Sequence, residues 1–319
     1  MTKDRLLLDI EAQPENLRQV LDYQTGPGAA DLAAAGEIIR ESKHILLTGM
    51  GSSMFAAIPA ELVFRCHGIP ARVVEAGELL HYGRDLLRHS CVVMISRSGE
   101  SIEIERLVEA GAATVIGVTN VLDSTLARGA DKLVSVHSLA DEMVAVQTYT
   151  ATLATLLLLA GQPPNSIAPV PELMAGWIAS WHARIPELIT GSPFFYFLGR
   201  GPSRASCLAG MLAMHEIAKQ PALALDAATF RHGVLEVVDA EFRSFVFAPS
   251  GPSRQLGRGL ARDIEGCGGR ATLVESDVPE MVAPLLEAIP VQLAGYHLAK
   301  AKNIVPGRFR HVTQVTRTE

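Results

Sequence analysis

The chain has 319 residues, a formal net charge of −6 and an isoelectric point of about 5.9. Hydrophobic residues make up 48% of the chain and its mean hydropathy is +0.23, so it has enough apolar side chains for a large buried core. An acidic chain without a long basic run is a poor candidate for nucleic-acid binding. The four cysteines form no CxxC pair and are interpreted as reduced packing residues. The charged N-terminus has no apolar signal core, so a cytoplasmic chain is expected.

Apolar runs of strand length alternate with helical patterns through the first half. Because such runs, separated by helices, are typical of a parallel sheet covered on both faces, we predict a doubly wound α/β domain. The uncharged segment 143–161 is barely long enough to cross a bilayer, and a buried helix is expected there. The predicted strands are residues 44–49, 71–76, 91–96, 114–120 and 132–138.

The pattern stops at the proline-rich stretch 161–173, which is the best linker candidate, and then restarts. Predicted strands follow at 194–201, 243–251 and 270–276, and Gly-Met-Gly-Ser-Ser at 49–53 corresponds to Gly-Arg-Gly-Pro-Ser at 199–203. We therefore predict an N-terminal helical segment (1–25) and two tandem flavodoxin-like domains, residues 26–165 and 180–319. The last part of the chain is expected to form a helix and then an irregular tail.

Two loops of the first half carry an unusual number of hydroxyl groups. Because ligands of open parallel sheets bind at the carboxyl ends of strands, where helix N-termini favour anions, these hydroxyls predict a phosphate site. The alternatives are helix capping by Ser98 and Ser101 and a dinucleotide site. Against the dinucleotide, Met54 replaces the third glycine of the fingerprint. The residues proposed to contact the phosphate are Ser52, Ser53, Ser96, Ser98 and Ser101.

Several segments give the chain a specific resemblance. LLTGMGSSMFAA, VVMISRSGESIEI, GVTNVLDSTLARGAD and LGRGPSRASCLAGMLAMHEIAKQ resemble the sugar isomerase (SIS) family. The pairing of two such domains resembles the isomerase half of glucosamine-6-phosphate synthase and related sugar-phosphate deaminases and deglycases. The resemblance implies a sugar-phosphate substrate held by the SRSGES loop. The histidines show no metal-ligand spacing, and neither a metal nor another cofactor is expected. The opening MTKDRLLLDIEAQ has no nucleophilic cysteine of a glutaminase domain, so glutamine is not the expected nitrogen source.

Glu216 is the outstanding candidate for proton transfer, because it is a carboxylate in an otherwise apolar helix and burial would raise its pKa. The alternative is an exposed position on the wet face of that helix. The resemblance matches Glu216 to the family's proton-transfer glutamate and His232 to its ring-opening histidine. It implies a homodimer, because relatives contribute this histidine from a neighbouring subunit. It also suggests that the backbone at Ala145 lines the sugar pocket.

The chain departs from the synthase at two positions. Ala213 and Gln314 replace lysines that would help open the ring and handle the amino group. A Glu/His pair still permits proton transfer between C1 and C2, as in an isomerase or deaminase. A deglycase of a glycated amino acid phosphate is the alternative, with Arg97, Arg308 and Arg310 reading the substrate carboxylate. A third possibility is a sugar-phosphate sensor without catalysis.

Overall fold

The structure is a computed structural model that describes residues 4–190 and 194–318. At least one helix separates every two consecutive strands, as expected for a doubly wound fold. The helices are α1 (Arg5–Thr25), α2 (Ala29–Glu41), α3 (Ser52–Cys66), α4 (Ala76–Tyr82), α5 (Arg84–Leu87), α6 (Ile102–Ala110), α7 (Thr125–Gly129), α8 (Gln147–Leu159), α9 (Pro164–Ile167), α10 (Val170–Leu188), α11 (Arg204–Ala218), α12 (Ala227–Arg231), α13 (Arg254–Gly266) and α14 (Pro284–Ala301).

The strands form two sheets, and every strand pair in them is parallel. The strands are β1 (Ile45–Gly49), β2 (Ala71–Glu75), β3 (Cys91–Ile95), β4 (Thr114–Thr119), β5 (Lys132–Ser135), β6 (Phe195–Gly199), β7 (Ala222–Asp226), β8 (Arg243–Phe247) and β9 (Arg270–Val274). The first sheet has the order β2-β1-β3-β4-β5 and the second β7-β6-β8-β9. The first order is that of flavodoxin-like folds, and the second repeats its first four positions. The predicted α/β class with two doubly wound sheets is confirmed.

All eight predicted strands are present, but the sequence pattern missed β7. This strand reads Ala-Leu-Ala-Leu-Asp, and alanine and aspartate are depleted in strands, so its local signal is weak. The strand pairs with β6 along its whole length, and this pairing stabilises a conformation that its own composition does not favour. Tertiary pairing therefore decides the element.

The chain divides into two compact units. The first-sheet unit comprises Glu15–Asp141, Gln147–Ala168 and Arg310–Glu319, and the second-sheet unit comprises Met1–Pro14, Glu142–Val146 and Pro169–Phe309. The proline-rich stretch is not extended, because α9 and the start of α10 form within it. Prolines occupy the first turn of both helices, where no intrahelical N–H is lost. The boundaries given above for the tandem domains stay predictions.

The apolar segment near residue 150 forms a buried helix. All residues of α8 are buried, as expected for a helix that is hydrophobic all round. Across residues 4–190 and 194–318, no helix combines the length and apolar character that a bilayer crossing needs. Cys91 and Cys207 are buried as packing residues, whereas Cys66 and Cys267 are exposed, contrary to that interpretation.

Candidate functional site

Two loops leave the first sheet side by side. Gly49, the last residue of β1, pairs in register with Ile95, the last residue of β3. A Cβ atom at Gly49 would lie 2.7 Å from the Ile95 carbonyl oxygen and 3.2 Å from the Cβ of Ser53. This close approach needs a glycine, and Gly51 turns the chain into α3 with a φ of 51°. The serines at the start of α3 therefore lie beside the carboxyl end of β3.

The loop after β3 is held by its own hydrogen bonds. Ser96 Oγ accepts a bond of 3.1 Å from the Gly99 amide, and Ser98 Oγ accepts one of 3.2 Å from the Glu100 amide. Gly99 has a φ of 66°, and a Cβ there would lie 2.1 Å from Ser124 Oγ. No residue with a side chain fits at this position. Both serines use acceptor capacity in the loop, and each hydroxyl hydrogen stays available for a ligand.

The five serines Ser52, Ser53, Ser96, Ser98 and Ser101 of these loops are called the first cradle. Within the described ranges, none of their hydroxyls donates a hydrogen bond to another group of the chain. Ser101 immediately precedes α6, yet its side chain makes no capping hydrogen bond. Ser96 is buried and the other four are partly exposed. The first cradle is a set of uncharged donors with no acceptor of its own.

Glu100 is the one acidic residue of the loop after β3, and its carboxylate is engaged elsewhere. It accepts hydrogen bonds of 2.7 Å from the Thr125 amide and 2.9 Å from Thr125 Oγ1. The hydrogen bond from the Thr125 amide is the main cause that lowers the pKa of Glu100 below its usual range. The carboxylate is thus fixed at the start of α7 and ionised at neutral pH.

The irregular C-terminal tail contacts the same loop. Arg97 donates a hydrogen bond of 3.1 Å to the Gln314 carbonyl oxygen, and the Ile102 amide donates one of 3.1 Å to the Thr316 carbonyl. The structure therefore brings the predicted residues Arg97 and Gln314 together, although Gln314 takes part through its backbone. The sequence separation of 217 residues shows why local patterns could not establish this contact.

The candidates for proton transfer lie in the second-sheet unit. Glu216 is half-buried on α11, and Lys219 Nζ, three residues later, donates to its backbone carbonyl. His232 is exposed just after α12, and its ring makes no hydrogen bond in the described part of the chain. Ala145 lies in the bend that precedes α8 and belongs to the same unit.

The most strongly perturbed carboxylate of the unit is Glu287 on α14, which is not among the residues predicted from the sequence. It is completely buried, and it accepts hydrogen bonds of 2.9 Å from Ser203 Oγ and 2.6 Å from Ser206 Oγ. Burial raises the pKa of Glu287 to about 7, against the opposing effect of the two hydroxyls. A single carboxylate in an apolar helix is the same signal that selected Glu216, and it would have found this residue.

Over residues 4–190 and 194–318, no three His, Cys, Asp or Glu side chains gather as a metal ion would require. His297 Nε2 and His182 Nδ1 lie 3.3 Å apart, but a close pair of imidazoles alone is short of the three or four ligands of a typical zinc site.

Comparison with known proteins identifies the first-sheet region. The model of the SIS domain matches residues 38–161. The glutamine–fructose-6-phosphate aminotransferase (isomerizing) of Pyrococcus horikoshii is 27% identical over 98% of this chain and 58% of the relative. The Escherichia coli enzyme of that name is 24% identical over 92% of this chain and 55% of the relative. The chain thus spans a little more than half the length of these curated relatives.

A solved structure extends the likeness to the fold of nearly the whole chain. The C-terminal domain of glucosamine-fructose-6-phosphate aminotransferase from Francisella tularensis superposes with a TM-score of 0.83 at 22% identity, covering 96% of this chain and 98% of that one. Residues 38–161 thus match the SIS domain, and nearly the whole chain is similar in sequence to part of glutamine–fructose-6-phosphate aminotransferase (isomerizing).

Proposed function

We propose that the chain is a phosphosugar isomerase or deaminase acting on an amino-sugar or ketose 6-phosphate. The observation that carries the proposal is the first cradle, whose hydroxyl donors lie at the carboxyl end of a parallel sheet and donate to nothing in the described chain. Phosphate oxygens are strong acceptors, and helix N-termini beside the loops favour their charge. The relatives named above share the substrate class that this chemistry suits.

The chemistry is assigned to Glu216 and His232. His232 moves a proton between the ring oxygen and the C1 hydroxyl, which opens the sugar ring. The Glu216 carboxylate removes the C2 proton of an open-chain aldose, the C–H electron pair forms the C1=C2 double bond, and the C1 carbonyl oxygen takes up a proton to give an enediol or enaminol. Glu216 then returns a proton to C1 while the C2 hydroxyl or amino group loses one, which gives the ketose or its imine. Water hydrolyses the imine and releases ammonia. No redox partner is needed, because the proton that leaves one carbon is added to the other. One positioned acid–base group of this kind contributes about 10²–10⁴-fold in rate.

The exposed position of His232 supports a homodimer in this proposal. A ring with no hydrogen-bond partner in the described part of its own chain is free to act on the substrate bound to a second copy. Sedimentation at micromolar concentration should then show a dimer. A monomer that keeps full turnover at that concentration would contradict this part of the proposal.

A deglycase of a glycated amino acid 6-phosphate is the second candidate. The observation in its favour is that the exposed side chains of Arg308 and Arg310 form no ion pair within the described residues, so each can bind a carboxylate. Arg97 at the cradle is engaged with the tail backbone and has remaining donors.

A panel of sugar 6-phosphates and glycated amino acid 6-phosphates tests the proposal. The wild-type chain is incubated with each compound, and isomer, ammonia and amine release are measured. Exchange of the C1 and C2 protons with deuterated water reports proton transfer even when no net product forms. Isomer or ammonia release supports the first candidate, and release of an amino acid supports the deglycase. Binding of a sugar phosphate with no exchange and no product would contradict both and leave a sensor.

A further inference from the structure

The loop after β6 in the second sheet repeats the glycine turn of the loop after β1 in the first. After β6, Gly201 has a φ of 52°, close to the 51° of Gly51 after β1. After β8, Gly251 has a φ of 152° and leads to Ser253 at the start of α13. The carboxyl end of this sheet therefore also presents glycine turns followed by serines.

A short sequence that precedes α8 is repeated before α14. Glu-Met-Val-Ala occurs at 142–145, before α8, and again at 280–283, before α14. When the two copies are aligned, Glu287 of α14 corresponds to Tyr149 of α8. The acidic side chain is thus a feature of the second sheet alone.

The hydroxyls at the second sheet donate to carboxylates of this segment. Ser203 and Ser206 donate to the two oxygens of Glu287, and Ser253 donates to Glu280. We call these three serines and two glutamates the second cradle. Ser203, Ser206 and Glu287 are at most 1% exposed, so the contacts are closed to water.

A fully buried carboxylate is an unfavourable residue in a helix that otherwise packs with apolar side chains. Leu285 and Leu286 precede it and are buried in the same helix. Transfer of a charge from water is unfavourable unless it is compensated by hydrogen bonds, and the two serines supply them. Those hydroxyls are themselves donors that would be buried without an acceptor if the carboxylate were absent. Each group therefore compensates the burial of the other: the hydroxyls donate hydrogen bonds to the carboxyl group, and the carboxyl group is their acceptor.

We propose that the second cradle is a carboxyl-binding site whose occupant is the side chain of Glu287. The second cradle is then already filled by the chain itself, and removal of the Glu287 side chain opens a site for the carboxyl group of a small acid such as acetic acid. The inference goes beyond the proposed function and does not rest on it, because it concerns hydroxyls that no substrate contact uses.

Chemical rescue of Glu287→Ala tests the proposal. The melting temperature is measured in sodium acetate, in sodium phosphate and in sodium chloride at matched ionic strength. We expect acetate to raise the melting temperature of Glu287→Ala by about 2–4 °C over chloride, as for a site filled tenfold above its dissociation constant. Glu287→Gln, which keeps the side-chain volume, should show no such rescue.

Leu286→Ala is the matched control, because it opens a cavity on the same helix and removes no acceptor. General stabilisation by phosphate acts equally on both variants and is subtracted. Equal responses of Glu287→Ala and Leu286→Ala to all three salts would overturn the proposal.

A second measurement remains decisive if Glu287→Ala does not fold. Equilibrium dialysis counts inorganic phosphate bound to the wild-type chain and to Ser203→Ala. The proposal expects that this substitution leaves the count unchanged, because the second cradle is already filled. Wild-type phosphate binding that Ser203→Ala abolishes would overturn it.

Discussion

The two sheets carry related loops with opposite use of their hydroxyl groups. In the first cradle, Ser96 and Ser98 accept hydrogen bonds from loop amides and donate none to the described part of the chain. In the second cradle, Ser203 and Ser206 donate to Glu287, a carboxylate of the same chain. Similar backbone geometry therefore does not by itself mark a ligand site. What distinguishes the two is whether the chain supplies the acceptor.

The largest effect that follows from this difference is a pH dependence of stability. The pKa of Glu287 is raised from its ordinary value of 4.5 to about 7 in the folded chain, so folding favours the protonated acid. Its stabilisation is fully present below pH 4.5 and is lost as the pH rises through about 7. The free energy lost is on the order of 3 kcal/mol, because a tenfold change in an acid dissociation constant corresponds to about 1.4 kcal/mol.

Urea unfolding gives the free energy of unfolding of the wild type and of Glu287→Gln between pH 4 and 8. The difference between the two plots of this free energy against pH measures the contribution of Glu287. Glu280 is the acidic neighbour that further raises the pKa of Glu287. It is present in both proteins, so its own titration largely cancels when the two curves are subtracted. Parallel curves across this range would show that the Glu287 carboxyl does not titrate on folding in this way.

Glu216→Gln probes the proton transfer proposed for the second-sheet unit. It removes the base and keeps the side-chain volume, so turnover should fall by at least about 10²-fold, the lower end for one acid–base group. Affinity for the sugar phosphate should change little, because the phosphate is assigned to the first cradle. Glu265→Gln, an exposed position at the end of α13, serves as control. Full turnover in Glu216→Gln would remove this residue from the mechanism.

Gly99→Ala tests how strictly the first cradle depends on its turn. Gly99 and Gly111 have φ values of 66° and 71°, but a Cβ at Gly99 would lie 2.1 Å from Ser124 Oγ while one at Gly111 meets nothing within 4 Å. Alanine at either position therefore destabilises the chain through the same unfavourable backbone conformation. The clash with Ser124 adds about 1–3 kcal/mol for Gly99→Ala only. Unfolding free energies of the two variants measure the difference. Equal destabilisation would show that the loop relaxes around the added methyl group.

A pair of serine substitutions contrasts the cradles directly. Ser98→Ala removes a hydroxyl from the first cradle, and the dissociation constant for the sugar phosphate should rise about tenfold, as for a hydrogen bond to a charged group. Ser203→Ala should leave that constant unchanged and lower stability by about 1–3 kcal/mol, because Glu287 loses a buried donor. Calorimetric titration and urea unfolding of both variants separate the outcomes. A reversed pattern would assign the ligand to the second cradle.

The sequence by itself determined most of the sheets and the position of the first cradle. Runs such as Cys91–Ile95 are continuous in apolar residues, and only a strand covered on both faces buries all of them. Glycines and serines at their ends then predicted where an anion would bind. These signals are local, so each can be read within a few residues.

Only the tertiary structure decided which hydroxyls remain available. Ser203 and Glu287 are 84 residues apart, and Arg97 and Gln314 are 217 apart, so no local pattern relates them. The strand Ala222–Asp226 likewise depends on its pairing with β6 rather than on its own composition. Hydrogen bonds depend on distance in space, and the fold brings together donors and acceptors that the order of residues keeps apart.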